Sequence, residues 1–332
     1  MVTKQAILTA PQQIELFERP LVPPAAGEVR IRVEQCGLCA SEVDMWTGKA
    51  PDELPAAIGH EVAGVVEEAG EGATLQPGDS VVAWVEPAGG FAEHVVVAER
   101  WCIPVSPGLA YPAVAEPLAC IVNAVELAAP ALADDIVIVG AGFMGNLIQL
   151  VGALKGPRSV TVADVRADAL AHAAELGATR VVNTRAESLA DVVAEVTDGR
   201  GADVTYEVTG VQAGLDLAGE VTRMSGKLCI VGYHQDGTRA IPLGRWNWMA
   251  FELLNAHFRD PEHVMRGMRA GMRLVETGAL DVAPLVTHTY PLAGVADAFE
   301  TAAAKPEGFV KAVVEPGRSR VSISRRVSRR SR

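Results

Sequence analysis

Apolar and polar residues alternate through the first hundred positions. The stretches KQAILTA, QIELFERP, EVRIRVEQCG, HEVAGVVEEAG, DSVVAWVEP and FAEHVVVAE are separated by turn residues, among them Pro23, Pro24 and Pro77-Gly78-Asp79. A period of two with such punctuation predicts a β-rich domain over residues 4–99. Near Pro112 the period lengthens, and AVAEPLACIVNAVELAA takes helical spacing. From residue 137 to about 256, apolar strands alternate with amphipathic helices: RADALAHAAELGA, RVVN, ESLADVVAEVTDG, ADVTYEVTG, QAGLDLAGEVTRMSG and KLCIVGY. That rhythm predicts an α/β fold with a doubly wound parallel sheet. A helix from near Asp260, a strand-like PLVTHTYPL, a helix GVADAFETAAAK and a last strand FVKAVVEP complete the pattern.

The stretch 135–164 organises the second half of the chain. Ile136 to Val139 is an apolar run suited to a strand buried on both faces, and Gly140, Gly142 and Gly145 follow at Gly-x-Gly-x-x-Gly spacing, with Phe143 and Met144 between them. The first glycine permits a tight turn, the second lets backbone approach a pyrophosphate, and the third lets helix pack on strand. Asp164 ends the next strand, SVTVAD, nineteen positions after Gly145. A carboxylate there accepts hydrogen bonds from the adenosine ribose and repels a 2'-phosphate, which favours NAD over NADP. Arg166 keeps NADP open, since a nearby arginine accommodates that phosphate. Residues 136–154 carry no charge, but three turn glycines, Asn146 and Gln149 argue against a membrane span.

Composition narrows the picture. Among 332 residues, 21% are charged and 49% hydrophobic, as in a globular protein of two domains. A net charge of -12 disfavours nucleic acid as a partner, although the last residues, GRSRVSISRRVSRRSR, reverse the sign. That tail (317–332) reads as basic and disordered. Five scattered cysteines and an N-terminus without a signal-peptide core point to reduced thiols and a cytoplasmic protein.

Three short stretches outside the sheet carry candidate chemistry: GLCASE with Cys39, GHE with His60 and Glu61, and AEPL with Glu116. A thiolate, an imidazole and a carboxylate from separate segments would give zinc three ligands and leave a fourth position open, as catalytic sites do. A buried cysteine or a turn histidine would account for each residue singly.

These motifs, together with PGDSVV, GGFAEHVVV, AEPLAC and FVKAVVEP, make the chain resemble the zinc-dependent medium-chain dehydrogenase/reductases of the alcohol dehydrogenase superfamily, in the sorbitol (polyol) and threonine dehydrogenase branch. The resemblance runs from about residue 4 to 316. It implies a GroES-like catalytic domain (1–117 and 257–316) and a Rossmann NAD-binding domain (118–256). It also implies one catalytic zinc at Cys39, His60 and Glu116, the last holding the metal directly or through a bound water, with Glu61 either binding the metal or sitting just behind it, and Ser41 as the hydroxyl that takes the alcohol proton. Cys36 is set aside because the family's ligand is the second cysteine of the two. Only EPAGG lies between Val85 and Phe91, so the lobe for a structural zinc is missing. Gly140, Gly142, Phe143, Met144, Gly145, Asp164, Arg166 and Val231 are the implied cofactor residues; Met45 stands at a position where relatives contact substrate, Arg259 serves either cofactor and substrate or a surface salt bridge with Asp260, and Trp46 is a candidate for the pocket or equally for the core. Glu42 stands where relatives have aspartate, and Met45 where sorbitol dehydrogenases have tyrosine.

The implied activity is NAD-dependent hydride transfer between a secondary alcohol (polyol, cyclitol or sugar-like) and its ketone, by a homodimer or homotetramer acting on a small molecule, without membrane or nucleic acid. The alternatives are a zinc-free NADPH-dependent quinone or enoyl reductase of the same superfamily and a catalytically silent binding protein.

Overall fold

The computed structural model describes residues 2–49, 53–235 and 237–323. The chain divides into two compact units, Met1–Glu116 with Met272–Arg332, and Pro117–Gly271.

The first unit is β-rich. In its larger sheet the strands follow the order Ser322–Ile323, His288–Tyr290, Ala312–Val314, Glu28–Gly37, Glu61–Ala69, Ser80–Trp84 and Cys102–Pro104, with His94–Ala98 also paired to Glu28–Gly37. Alternation in EVRIRVEQCG sends Val29, Ile31 and Val33 into a core shared with Val62, Val81, Phe91 and Phe299, and a register irregularity between Val33 and Gln35 brings Cys36 to the same core. A smaller sheet joins Gln13–Pro20, Val2–Ala10 and Ala56–Ala57. QIELFERP is its exposed edge, which explains the charges on both faces of that strand.

The second unit holds six parallel strands in the order Arg180–Asn183, Ser159–Asp164, Asp135–Val139, Ala202–Glu207, Thr222–Ile230 and Glu252–Asn255. Numbered along the unit this is 3-2-1-4-5-6, the doubly wound order with its switch point between Asp135–Val139 and Ala202–Glu207. The middle strands are buried along almost their whole lengths, which suits the apolar run of Asp135–Val139.

Three boundaries differ from the sequence-based expectation. Residues 257–271 cluster with the second unit rather than the first. The helix Pro261–Glu276 lies there so closely on the helix Ala115–Ala128 that a Cβ on Gly267 would meet Asn123 at 2.7 Å and one on Gly271 would meet Leu118 at 2.7 Å. The helix expected over 212–226 ends at Val221, and Thr222 opens a strand with its hydroxyl bonded to Ala218 O and Thr205 Oγ1. Part of the tail expected to be disordered is ordered instead. Ser322–Ile323 pairs antiparallel with His288–Tyr290, because that strand offers a free edge. Residues 324–332 lie outside the described residues. No helix among the described residues is long and apolar enough to cross a membrane.

Candidate active site

Two features of the first unit bring its reactive residues together. The strand Glu28–Gly37 delivers the chain to Cys39, which caps the short helix Ala40–Trp46 in an extended conformation. The neighbouring strand Glu61–Ala69 starts where His60 ends a turn. Gly59 before it has φ +97°, and a Cβ there would meet Phe91 N at 2.4 Å, so only glycine serves at this position. Cys39, His60 and Glu61 thereby bring one ligand atom each within 4.8 Å of one another.

Glu42, buried beneath this cluster, ties its parts together. Its Oε1 accepts from Gly59 N at 2.5 Å and faces His60 Nδ1 at 3.2 Å, while Oε2 accepts from Cys39 N at 3.3 Å. A carboxylate facing Nδ1 can only accept, so that nitrogen carries a hydrogen, and Nε2 is the ring nitrogen left to face a metal. Burial opposes the charge on Glu42, yet His60 and the two N–H groups hold it below the usual carboxylate range. His60 mirrors this. Burial works against the imidazolium, and Glu42 and Cys39 outweigh it, so the ring sits well above its ordinary pKa. The Glu42 that replaces aspartate therefore reaches both the backbone and the imidazole.

Glu61 is 1% exposed and lies against Lys311, which is 4% exposed. The Lys311 ammonium donates to Oε1 at 2.8 Å and lies 2.7 Å from Oε2, which accepts no hydrogen bond of its own. Burial pushes the Glu61 carboxyl up while Lys311 pulls it back. Burial would lower the Lys311 ammonium, but Glu61 and then Cys39 hold its pKa up. Gly37 makes room for the pair, since a Cβ there would overlap Glu61 Oε2. A buried carboxylate, a cysteine sulfur and an imidazole nitrogen form a donor set that fits zinc. Glu116, in the first turn of Ala115–Ala128, lies outside the three-residue cluster, and its charge acts on both Glu61 and Lys311.

The remaining expected residues fall in several places. Ser41 Oγ donates to Cys39 Sγ at 3.2 Å, on the cluster itself. Cys36 is fully buried with its thiol pushed far up by burial, which keeps it neutral and a poor ligand. Trp46, a candidate for the pocket or the core, is 6% exposed and packs on Phe299 with ring centroids 6.3 Å apart. It belongs to the core, because the seven-residue helix turns that position inward. Met45 is half-buried against the same core.

In the second unit, Gly142 caps the helix Phe143–Ala153, whose first turn holds Phe143, Met144 and Gly145. A Cβ on Gly145 would lie 1.8 Å from Gly140 O, whereas one on Gly142 would meet nothing within 4 Å. The turn is thus closed on the side of the sheet and open above Gly142 at the helix N-terminus, where a pyrophosphate fits. Asp164 accepts from Ala141 N at 2.8 Å and Arg166 N at 2.9 Å, with lone pairs left for ribose hydroxyls. Arg166 lies 3.7 Å from Asp168. Arg259 lays its guanidinium over the Tyr233 ring, 5.6 Å from the centroid. Val231 follows the strand Thr222–Ile230, its N–H bonded to Glu207 O at 2.8 Å.

Residues 25–107 match the alcohol dehydrogenase GroES-like domain, and residues 136–262 match the zinc-binding dehydrogenase domain, together more than half of the chain. The chain belongs to the zinc-binding alcohol dehydrogenase family. Within that family it is 27% identical to sorbitol dehydrogenase of Gallus gallus, across 87% of this chain and 90% of the relative. It is 28% identical to L-threonine 3-dehydrogenase of Pyrococcus abyssi, across 83% of this chain and 88% of the relative. A zinc-binding dehydrogenase of Sinorhizobium meliloti, solved bound to NADP, shares the fold with a TM-score of 0.85 and 24% identity, across 95% of this chain and 100% of that one.

Proposed function

We propose that this alcohol dehydrogenase family member is a zinc- and NAD-dependent enzyme that moves hydride reversibly between a secondary alcohol of polyol, cyclitol or sugar-like type and its ketone. The observation that carries this reading is the convergence of Cys39, His60 and Glu61 within 4.8 Å with the Ser41 hydroxyl on the same sulfur. When bound, zinc supplies Lewis acidity that lowers the pKa of a hydroxyl group, and the dinucleotide supplies the hydride acceptor. Cys39 Sγ, His60 Nε2 and Glu61 Oε2 are the atoms assigned to hold the metal, with Glu116, whose charge acts on Glu61, as the alternative carboxylate. Ser41 Oγ accepts the alcohol proton and passes its own onward. Glu42 keeps the imidazole tautomer and ring direction fixed.

In the second unit, the backbone N–H groups at Gly142, Phe143 and Met144 receive the pyrophosphate, and Asp164 receives the adenosine ribose. The Asp164 carboxylate repels a 2'-phosphate, and this supports NAD as the cofactor. Replacing Asp164 with serine is expected to cut the preference for NAD over NADP by on the order of 10²-fold, because a like-charge contact costs several kcal/mol. The check is kcat/KM for each cofactor with one alcohol.

Purified without chelator, the protein is expected to carry about one zinc per chain and to reduce NAD with some member of a panel of polyols, cyclitols and sugar acids. A metal-free protein that instead oxidises NADPH with conjugated carbonyls would overturn the reading.

A further inference from the structure

We infer that Glu207, His234 and Arg239 form a latch that positions the part of the second unit receiving the nicotinamide half of the dinucleotide. The inference rests on the dinucleotide reading of that unit. Asp164 marks the adenosine side, on the strand Ser159–Asp164, and the glycine turn follows the adjacent strand Asp135–Val139. A dinucleotide with its pyrophosphate on the glycine turn extends its other half past the switch point, over the carboxyl ends of Ala202–Glu207 and Thr222–Ile230.

Glu207 closes the first of those strands and is fully buried. Its Oε1 accepts from Thr209 N at 2.7 Å, Thr209 Oγ1 at 2.5 Å and Gly210 N at 3.0 Å. These bonds already fix the turn after the strand. The second oxygen does something else. It faces His234 Nε2 at 2.9 Å, in the segment that leaves the next strand. Arg239 Nε donates to His234 Nδ1 at 2.9 Å, and another Arg239 nitrogen donates to Gly210 O at 2.8 Å. A guanidinium only donates and a carboxylate only accepts, so His234 is a neutral ring with its hydrogen on Nε2. The circuit from Glu207 through His234 and Arg239 returns to Gly210, and clamps residues 231–235 onto the turn at 208–210.

The clamp is tight. A Cβ on Gly232 would lie 2.3 Å from Gly210 N and 2.4 Å from Glu207 Oε2. Val231 and Tyr233, with Arg259 over the Tyr233 ring, are carried by this clamped stretch. Three ionisable side chains in series are costlier to assemble than the Thr209 and Gly210 contacts alone, which would suffice to shape the turn. Their added effect is to hold the stretch in place before cofactor arrives, which removes an ordering cost from binding. His234 and Arg239 are positioning residues in this scheme, acting through the backbone they hold.

Titration calorimetry with NADH, NADPH and ADP on the intact chain, and on His234→Ala and Arg239→Ala, tests this. ADP carries the adenosine and pyrophosphate parts without the nicotinamide half. Both variants are expected to weaken NADH about tenfold, equivalent to the ordering cost of one or two side chains, and to leave ADP within about twofold. NADH affinity unchanged, or NADH and ADP weakened alike, would overturn the latch. Arg239 is only partly buried, so its variant keeps the test open where His234→Ala does not fold. A parent chain that binds ADP but neither reduced dinucleotide would instead remove the dinucleotide reading itself.

Discussion

Replacing His60 with alanine is expected to strip the protein of zinc and to lower kcat/KM at least about 10³-fold, the loss of several kcal/mol of Lewis-acid stabilisation. The ligand atoms come from Cys39 at a helix cap, His60 after a turn, and Glu61 at the start of a strand. Removing the imidazole leaves two donors, and it also leaves Glu42 buried and facing a gap where its largest favourable charge partner stood. Metal analysis and initial rates on the purified variant check the prediction. Cys36→Ala serves as the comparison, since that buried neutral thiol is expected to be removable without loss of zinc. Zinc retained by the His60 variant, or lost from the Cys36 variant, would move the metal site elsewhere. A Glu116→Gln arm reports on the fourth candidate. If Glu61 is the carboxylate ligand, zinc stays near one per chain, whereas a loss equal to that of His60→Ala assigns the metal to Glu116.

The parallel sheet was legible because its evidence is local. An unbroken apolar run, three glycines at fixed spacing and a carboxylate at the end of the next strand all lie within thirty residues, and each has one physical reason to be there. The alternating strands of the first unit were legible for the same reason. The candidate cluster was legible only through resemblance, since nothing in the spacing of Cys39 and His60 requires them to meet. They meet because Glu28–Gly37 and Glu61–Ala69 pair antiparallel, with Gly37 opposite Glu61. The partner that Glu61 finds lies far along the chain. Lys311, 250 positions from Glu61, had no signal beyond lying in a strand-like FVKAVVEP. Trp46 was left between a pocket and a core because an aromatic beside a candidate ligand suits both equally, and its packing on Phe299, from a helix far along the chain, places it in the core. Glu207, His234 and Arg239 were passed over for a similar reason. A glutamate ending an apolar strand and a histidine in a turn are unremarkable until the sheet sets them side by side.

Lys311→Met is expected to destabilise the metal-free protein by about 3–5 kcal/mol, the cost of leaving one buried charge without its partner. At roughly 2–4 °C per kcal/mol for a unit of this size, the first unit should melt on the order of 10 °C lower. The size of the effect follows from burial: neither Glu61 nor Lys311 exposes more than 4% of its surface, so water cannot replace the lost ammonium. The same reasoning predicts how the loss is repaired. In the parent chain the Glu61 charge is balanced by Lys311 whether or not a cation is present, so adding zinc stabilises by ligand binding alone. In the variant, zinc takes over the counter-charge that Lys311, the largest favourable charge partner of Glu61, supplied. The gain in melting temperature from chelator to excess zinc is therefore expected to be larger in Lys311→Met than in the parent, and that difference is the quantity to measure by calorimetry. An equal zinc-dependent gain in both proteins would mean that Glu61 does not face the metal, and the carboxylate ligand would then have to be Glu116. Glu61→Gln with Lys311→Met removes both charges and is expected to recover much of the stability, while losing the excess zinc response. That pairing separates the electrostatic cost of an orphaned carboxylate from any loss of lysine packing in the same core.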